Sequence, residues 1–150
     1  MTPSHFGSIL VRLAVGGSAS WLRASTVIAA SIAPDLTPEE VRDIANLLMQ
    51  FNIDGVIATN TTVSRDKITG HALANETGGL SGAPVREIAT EVVRLLAAEL
   101  KGALPIIAAG GVMNAVNARE KIDAGASLVQ VYTGLIYKGA SLISEIVNEM

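Results

Sequence analysis

From Thr26 onward, short apolar runs of strand length alternate with longer amphipathic stretches, and this rhythm limits what the chain can fold into. Residues 27–33 (VIAASIA) form a continuous apolar run closed by Pro34. Thr37-Pro38-Glu39-Glu40 then reads as a helix start, with Thr37 as N-cap, Pro38 at the first helical position and Glu40 placed to complete a capping box. Val41, Ile44, Ala45, Leu48 and Phe51 follow at the spacing of one buried helical stripe. Residues 55–59 (GVIAT), 105–109 (PIIAA) and 127–132 (SLVQVY) read as the next strands, and 85–100, 114–124 and 141–148 as the helices that follow them. Asn114 is a natural N-cap and Gly125 a natural stop. Strands apolar on both faces, separated by helices, imply a parallel sheet with right-handed crossovers. The order βα, repeated four times, fits a doubly wound sheet as well as part of a barrel.

Length and composition narrow the choice. At 150 residues the chain makes one domain and falls short of the ~250 residues typical of a closed eight-stranded α/β barrel. Without Cys there is no disulfide framework, thiolate metal site or cysteine nucleophile, and two isolated His do not make a zinc cluster. A net charge of -3 argues against a mainly electrostatic grip on nucleic acid, and two Phe, two Tyr and one Trp leave little for stacking bases. All 14 acidic residues lie after position 34, whereas only Arg12 and Arg23 of the basic residues precede it. Residues 1–25 therefore differ in kind from 26–150 and are left unassigned, as a poorly ordered terminus or a targeting segment. The apolar run 8–15 within them is broken by Arg12 and is too short to span a membrane.

One connection breaks the rhythm. About 24 residues, 60–84, separate a strand from its helix where two to six are usual. A connection of that length after the C-terminal end of a strand reads as functional. It opens on Asn60-Thr61-Thr62 and closes on Thr77-Gly78-Gly79-Leu80-Ser81-Gly82, while the next strands end in Gly110-Gly111 and Thr133-Gly134. Turns need glycine in any case. Three Gly-containing strand ends in one βα array nevertheless look like a phosphate cradle.

Five blocks in order carry a family resemblance: IAPDL at 32–36, DGVIATNTT at 54–62, TGGLSG at 77–82, LPIIAAGG at 104–111 and AGASLVQVYTGLIYKG at 124–139. Together they resemble the C-terminal half of a dihydroorotate dehydrogenase, most closely the class 2, quinone-dependent group. The resemblance implies a parallel (β/α)4 unit, the C-terminal half of a TIM (β/α)8 barrel. It further implies FMN as cofactor, oxidation of dihydroorotate to orotate in pyrimidine synthesis, quinone as electron acceptor, and a cytoplasmic or membrane-peripheral location. By the same resemblance Thr59, Gly82, Gly111, Tyr132 and Thr133 match flavin-contacting positions, the last three around the phosphate, and Asn60 and Thr61 match residues that bind the orotate ring. The chemistry suits these roles, since a side-chain amide offers donor and acceptor to a pyrimidine edge and hydroxyls and backbone amides suit phosphate oxygens. Two blander readings stand beside them. Asn60 could simply satisfy local backbone in its turn, and Tyr132 could be the last inward residue of a buried strand.

The departures matter equally. The family's Lys directly before IAPDL, suited to stabilising negative charge on reduced flavin, is Ser31 here. The family's catalytic serine base, its remaining orotate ligands and the helices of its quinone entrance have no counterpart in these blocks. No catalytic residue is therefore assigned, and activity from these residues alone is not expected. The alternative is a non-catalytic, FMN- or phosphate-binding half-barrel module. Four strands from such a barrel would leave both sheet edges unpaired, so edge-to-edge self-association or a complementing N-terminal half is expected.

Overall fold

The computed structural model describes residues 9–11 and 28–150. Most of the segment 1–25, and the first two residues of the unit 26–150, lie outside the described residues. The elements are β1 (Ile9–Val11), β2 (Ala29–Ile32), α1 (Pro38–Gln50), β3 (Gly55–Ala58), α2 (Arg86–Leu100), β4 (Ile106–Ala108), α3 (Ala115–Asp123), β5 (Leu128–Val131), α4 (Thr133–Lys138) and α5 (Ser141–Glu149). Single 3-10 turns at Asp66–Ile68 and Ala83–Val85 punctuate the long connection.

The sheet runs β1-β5-β4-β3-β2, and its last four strands are parallel. Each parallel strand thus lies beside the next in sequence, with no reversal of order. A doubly wound sheet needs such a reversal, whereas successive right-handed crossovers in one direction put every helix on one face, as in a barrel. Burial follows that layering. Ile32, Val56, Ala58, Ile106, Ala108, Val129 and Val131 are buried toward the helices, while on the other face Leu128 is buried, Ile57, Ile107 and Gln130 are half-buried and Ala29 and Ser31 exposed.

Local signals account for the helix starts. Thr37 caps α1 with the full reciprocal box: Glu40 N donates to Thr37 Oγ1 at 3.2 Å and Thr37 N to Glu40 Oε2 at 2.8 Å. Asn114 caps α3 by accepting from Asn117 N at 2.8 Å. Val41, Ala45 and Leu48 of α1 pack with Val92, Val93 and Leu96 of α2 over β2, β3 and β4. A second cluster joins Ala115 and Ala118 of α3 and Leu142 and Ile146 of α5 to Val129 and Val131.

Three sequence expectations are corrected. Phe51 leaves the buried stripe of α1: the helix ends at Gln50, and Phe51 as its C-cap is 68% exposed. The strand at 127–132 ends at Val131, and Thr133-Gly134 opens the short helix α4 instead of a turn. The β5 edge is not bare either. Ile9–Val11 pairs antiparallel along it, Ile9 opposite Val131 and Val11 opposite Val129, so an apolar, strand-forming tripeptide takes up the edge's unpaired backbone groups.

Candidate functional site at the strand C-termini

Every parallel strand of a sheet like this delivers its C-terminal residues to one end, and there the chain forms a cavity of about 280 Å³. Thr59, Asn60 and Thr61 leave β3 into it, Gly110 and Gly111 leave β4, and Tyr132 and Thr133 leave β5, with Ser81 and Gly82 closing the side. All seven residues singled out in the sequence line this one space, although they come from four separate segments. Tyr132 is 45% exposed and lies beyond the end of β5, which removes the buried-strand reading of its side chain. Asn60 serves its turn as well as the cavity. Its Oδ1 accepts from Thr61 N at 2.8 Å, leaving the side-chain NH2 for other partners.

Among the described residues no charged side chain lines the cavity, so an anion held there meets neutral donors from them. Gly111, at φ +74°, shows how the backbone is brought to the rim: a Cβ there would run into the backbone and Cβ of Arg86 at the start of α2. Among the described residues its N–H has no hydrogen-bond partner. Opposite, Thr133 Oγ1 donates to Ser81 Oγ at 3.0 Å, joining the end of the long connection to the start of α4.

The wall behind Gly111 is fixed by ion pairing and burial. Arg86 bonds Glu120 of α3 at 2.7 Å, and Lys121, wholly buried, donates to Arg86 O at 3.0 Å and Thr90 Oγ1 at 2.7 Å. Burial pulls the Lys121 ammonium down to about 8, against the attraction of Glu120. At the neighbouring helix start, Glu145 accepts from Ala115 N at 3.1 Å and from Lys138 Nζ at 3.0 Å, and these bonds, the lysine's first, hold its carboxyl below the usual range.

The long connection is folded back on itself. Thr62 and Leu80 exchange two backbone hydrogen bonds, at 3.1 and 2.8 Å, and close a loop whose mouth faces the cavity. Asp35, from the β2–α1 turn, accepts from the Thr62 hydroxyl and from Val63 N at 3.2 Å. Sequence reasoning missed Ser81, Gln130 and the apolar wall of Val85, Ala109 and Val112. Gln130, the one polar residue within the otherwise apolar β5, was the available signal for its own place.

A family model for dihydroorotate dehydrogenase matches residues 15–150. The chain belongs to the dihydroorotate dehydrogenase family. That match begins inside the segment 1–25. Among its relatives in the family, the dihydroorotate dehydrogenase (quinone) of Saccharophagus degradans is 57% identical over 118 residues, 79% of this chain and 35% of the relative. That of Chromobacterium violaceum is 58% identical over 118 residues, 79% of this chain and 34% of the relative. The solved dihydroorotate dehydrogenase of Eimeria tenella in complex with ferulenol superposes with a TM-score of 0.78 at 41% identity, covering 82% of this chain and 33% of that one. The chain thus spans about a third of the length of the relatives it matches. With these relatives the one-directional strand order is accounted for: the four parallel strands are the C-terminal half of a TIM (β/α)8 barrel. Among the described residues no helix is long and apolar enough to cross a membrane.

Proposed function

We propose that this dihydroorotate dehydrogenase-family chain supplies the FMN-phosphate cradle and one edge of the pyrimidine site of an oxidoreductase that converts dihydroorotate to orotate with a quinone as acceptor. The observation that carries the reading is the convergence of Thr59, Asn60, Thr61, Gly82, Gly111, Tyr132 and Thr133 on one cavity at the strand C-termini. Among the described residues the donor set fits a phosphomonoester: an unpaired Gly111 N–H, the one proton that the bonded Thr133 and Ser81 hydroxyls leave over, and no carboxylate on the rim to repel it. When bound, FMN would supply the hydride acceptor that no side chain provides.

The chain's own residues then divide the work. Gly111 and Thr133 anchor the phosphate, Thr59 and Gly82 border the flavin, and Asn60 and Thr61 present an amide and a hydroxyl to the pyrimidine edge. Asn60 orients its amide through the 2.8 Å bond from Thr61 N, so its free NH2 is preset before substrate arrives. The base that takes the substrate proton, the remaining pyrimidine ligands and the quinone entrance are assigned to the part of the barrel these residues do not include.

A second reading has one observation in its favour. Ser31, on the helix-free face of β2 opposite Ile57, puts a neutral hydroxyl where the family resemblance places a cation, which favours a module that holds FMN without reducing it. The visible spectrum of the purified chain decides. A flavin band that bleaches on adding dihydroorotate supports the oxidoreductase, a band that does not bleach supports the binding module, and no band after incubation with FMN removes the cofactor from the account.

A further inference from the structure

Arg65 is a half-buried cation with no carboxylate at ion-pairing distance among the described residues. Its guanidinium is spent on backbone carbonyls instead. Nη1 donates to Val63 O and Ser64 O at 3.2 Å and to Thr62 O at 3.4 Å, on the outgoing limb of the long connection. Nη2 donates to Glu76 O at 3.1 Å and Gly78 O at 2.6 Å, on the returning limb. One planar fork thus ties together two limbs more than ten residues apart. The tie sits next to the cavity mouth. Gly79 follows the strongest of these acceptors, and it lies so close to Thr61 that a Cβ on it would overlap the Thr61 hydroxyl and Cβ.

We propose that Arg65 is a positioning residue: by clamping both limbs of the 60–82 connection it presses Gly79 against Thr61 and so sets the Asn60–Thr61 edge of the cavity. The inference rests on the reading of that edge as the pyrimidine site. A lysine cannot replace the fork, because a single ammonium offers a point charge where two divergent N–H groups are needed. The Gly111 side is held from outside the connection, by Arg86 and Lys121, and Ser81 meets Thr133 beyond the two Thr62–Leu80 hydrogen bonds that close the loop, so the clamp bears mainly on the Asn60–Thr61 edge.

The test compares the wild-type chain with Arg65→Met and Arg65→Lys, reading peptide-resolved hydrogen exchange together with the affinities for FMN and, at saturating FMN, for orotate. Both variants are expected to exchange about tenfold or more faster at residues 61–64 and 76–80, with β3, β4 and α2 unchanged. Orotate affinity should fall about tenfold while FMN affinity moves less than twofold, a split that general loss of stability does not produce. The proposal is overturned if the loop amides of Arg65→Met exchange at the wild-type rate, if Arg65→Lys restores orotate binding, or if FMN and orotate weaken together. Should the wild-type chain bind neither molecule, the pyrimidine-site reading fails on its own, and the positioning role fails with it; the exchange data then report the clamp alone.

Discussion

At the scale of single residues, the site is built from side chains that serve the fold and still leave a face toward the cavity. Asn60 spends its oxygen on Thr61 N and keeps its NH2, and the Thr133 and Ser81 hydroxyls bond each other through one proton and keep the second to donate into the cavity. Ser31 is the residue that departs from this economy, exposed on the helix-free face of β2. If a cation belongs there, Ser31→Lys should tighten FMN binding by about tenfold, the gain expected when a neutral contact becomes charge-assisted. Fluorescence titration with FMN checks this, and an unchanged affinity would remove Ser31 from the flavin's surroundings. That the strand ends meet at one place was legible in the βα pattern, because a parallel array brings every strand terminus to one end, whereas the particular residues were singled out by the family resemblance. The Arg65 clamp was not legible, nor was the hydroxyl bridge from Ser81 to Thr133. Such contacts join positions 11 to 52 residues apart with no periodicity to mark them.

At the scale of elements, caps were legible and burial of charge was not. The α1 box and the Asn114 cap follow from residue types within one turn. Helix α4 escaped notice because six residues opened by Thr-Gly look like a turn, and β1 because a three-residue strand carries almost no pattern. A lysine is ordinarily exposed, yet α3 packs Lys121 against α2 and buries it completely. Its pKa of about 8, against 10.5 ordinarily, has a definite consequence. Below about pH 8 both folded and unfolded chains carry the proton, and the desolvation cost is present in full. Between about 8 and 10.5 the folded chain has released the proton that the unfolded chain still holds, so stability rises with pH. Wild type should therefore gain on the order of 3 kcal/mol relative to Lys121→Met across that window, measured by denaturant unfolding at each pH. A constant difference between the two would show that burial does not perturb the ammonium.

At the scale of the whole molecule, a sheet wound in one direction has helices on one face only. Its other face keeps Ile57, Ile107 and Gln130 half-buried and Ala29 and Ser31 exposed, and the β2 edge has no strand partner among the described residues. The sequence pattern conveyed the four βα units but left barrel and doubly wound sheet equally open, because strand order is a long-range property that periodicity does not carry. An open parallel edge pairs with whatever strand is offered. These 150 residues on their own should sediment as a concentration-dependent associating species, and Ala29→Lys, placing a charge on the exposed edge, should shift them toward monomer. A monodisperse wild-type monomer would mean that the edge is covered by other means.

The central claim is that Gly111 and Thr133 hold the phosphate of FMN at the strand C-termini, and an FMN titration of the wild-type chain beside Thr133→Val tests it most directly. The variant keeps the shape of the side chain and removes only the hydroxyl. Saturable binding by the wild type, weakened about tenfold in Thr133→Val, is the predicted result. Binding that never saturates, or equal affinity in the two chains, would contradict it.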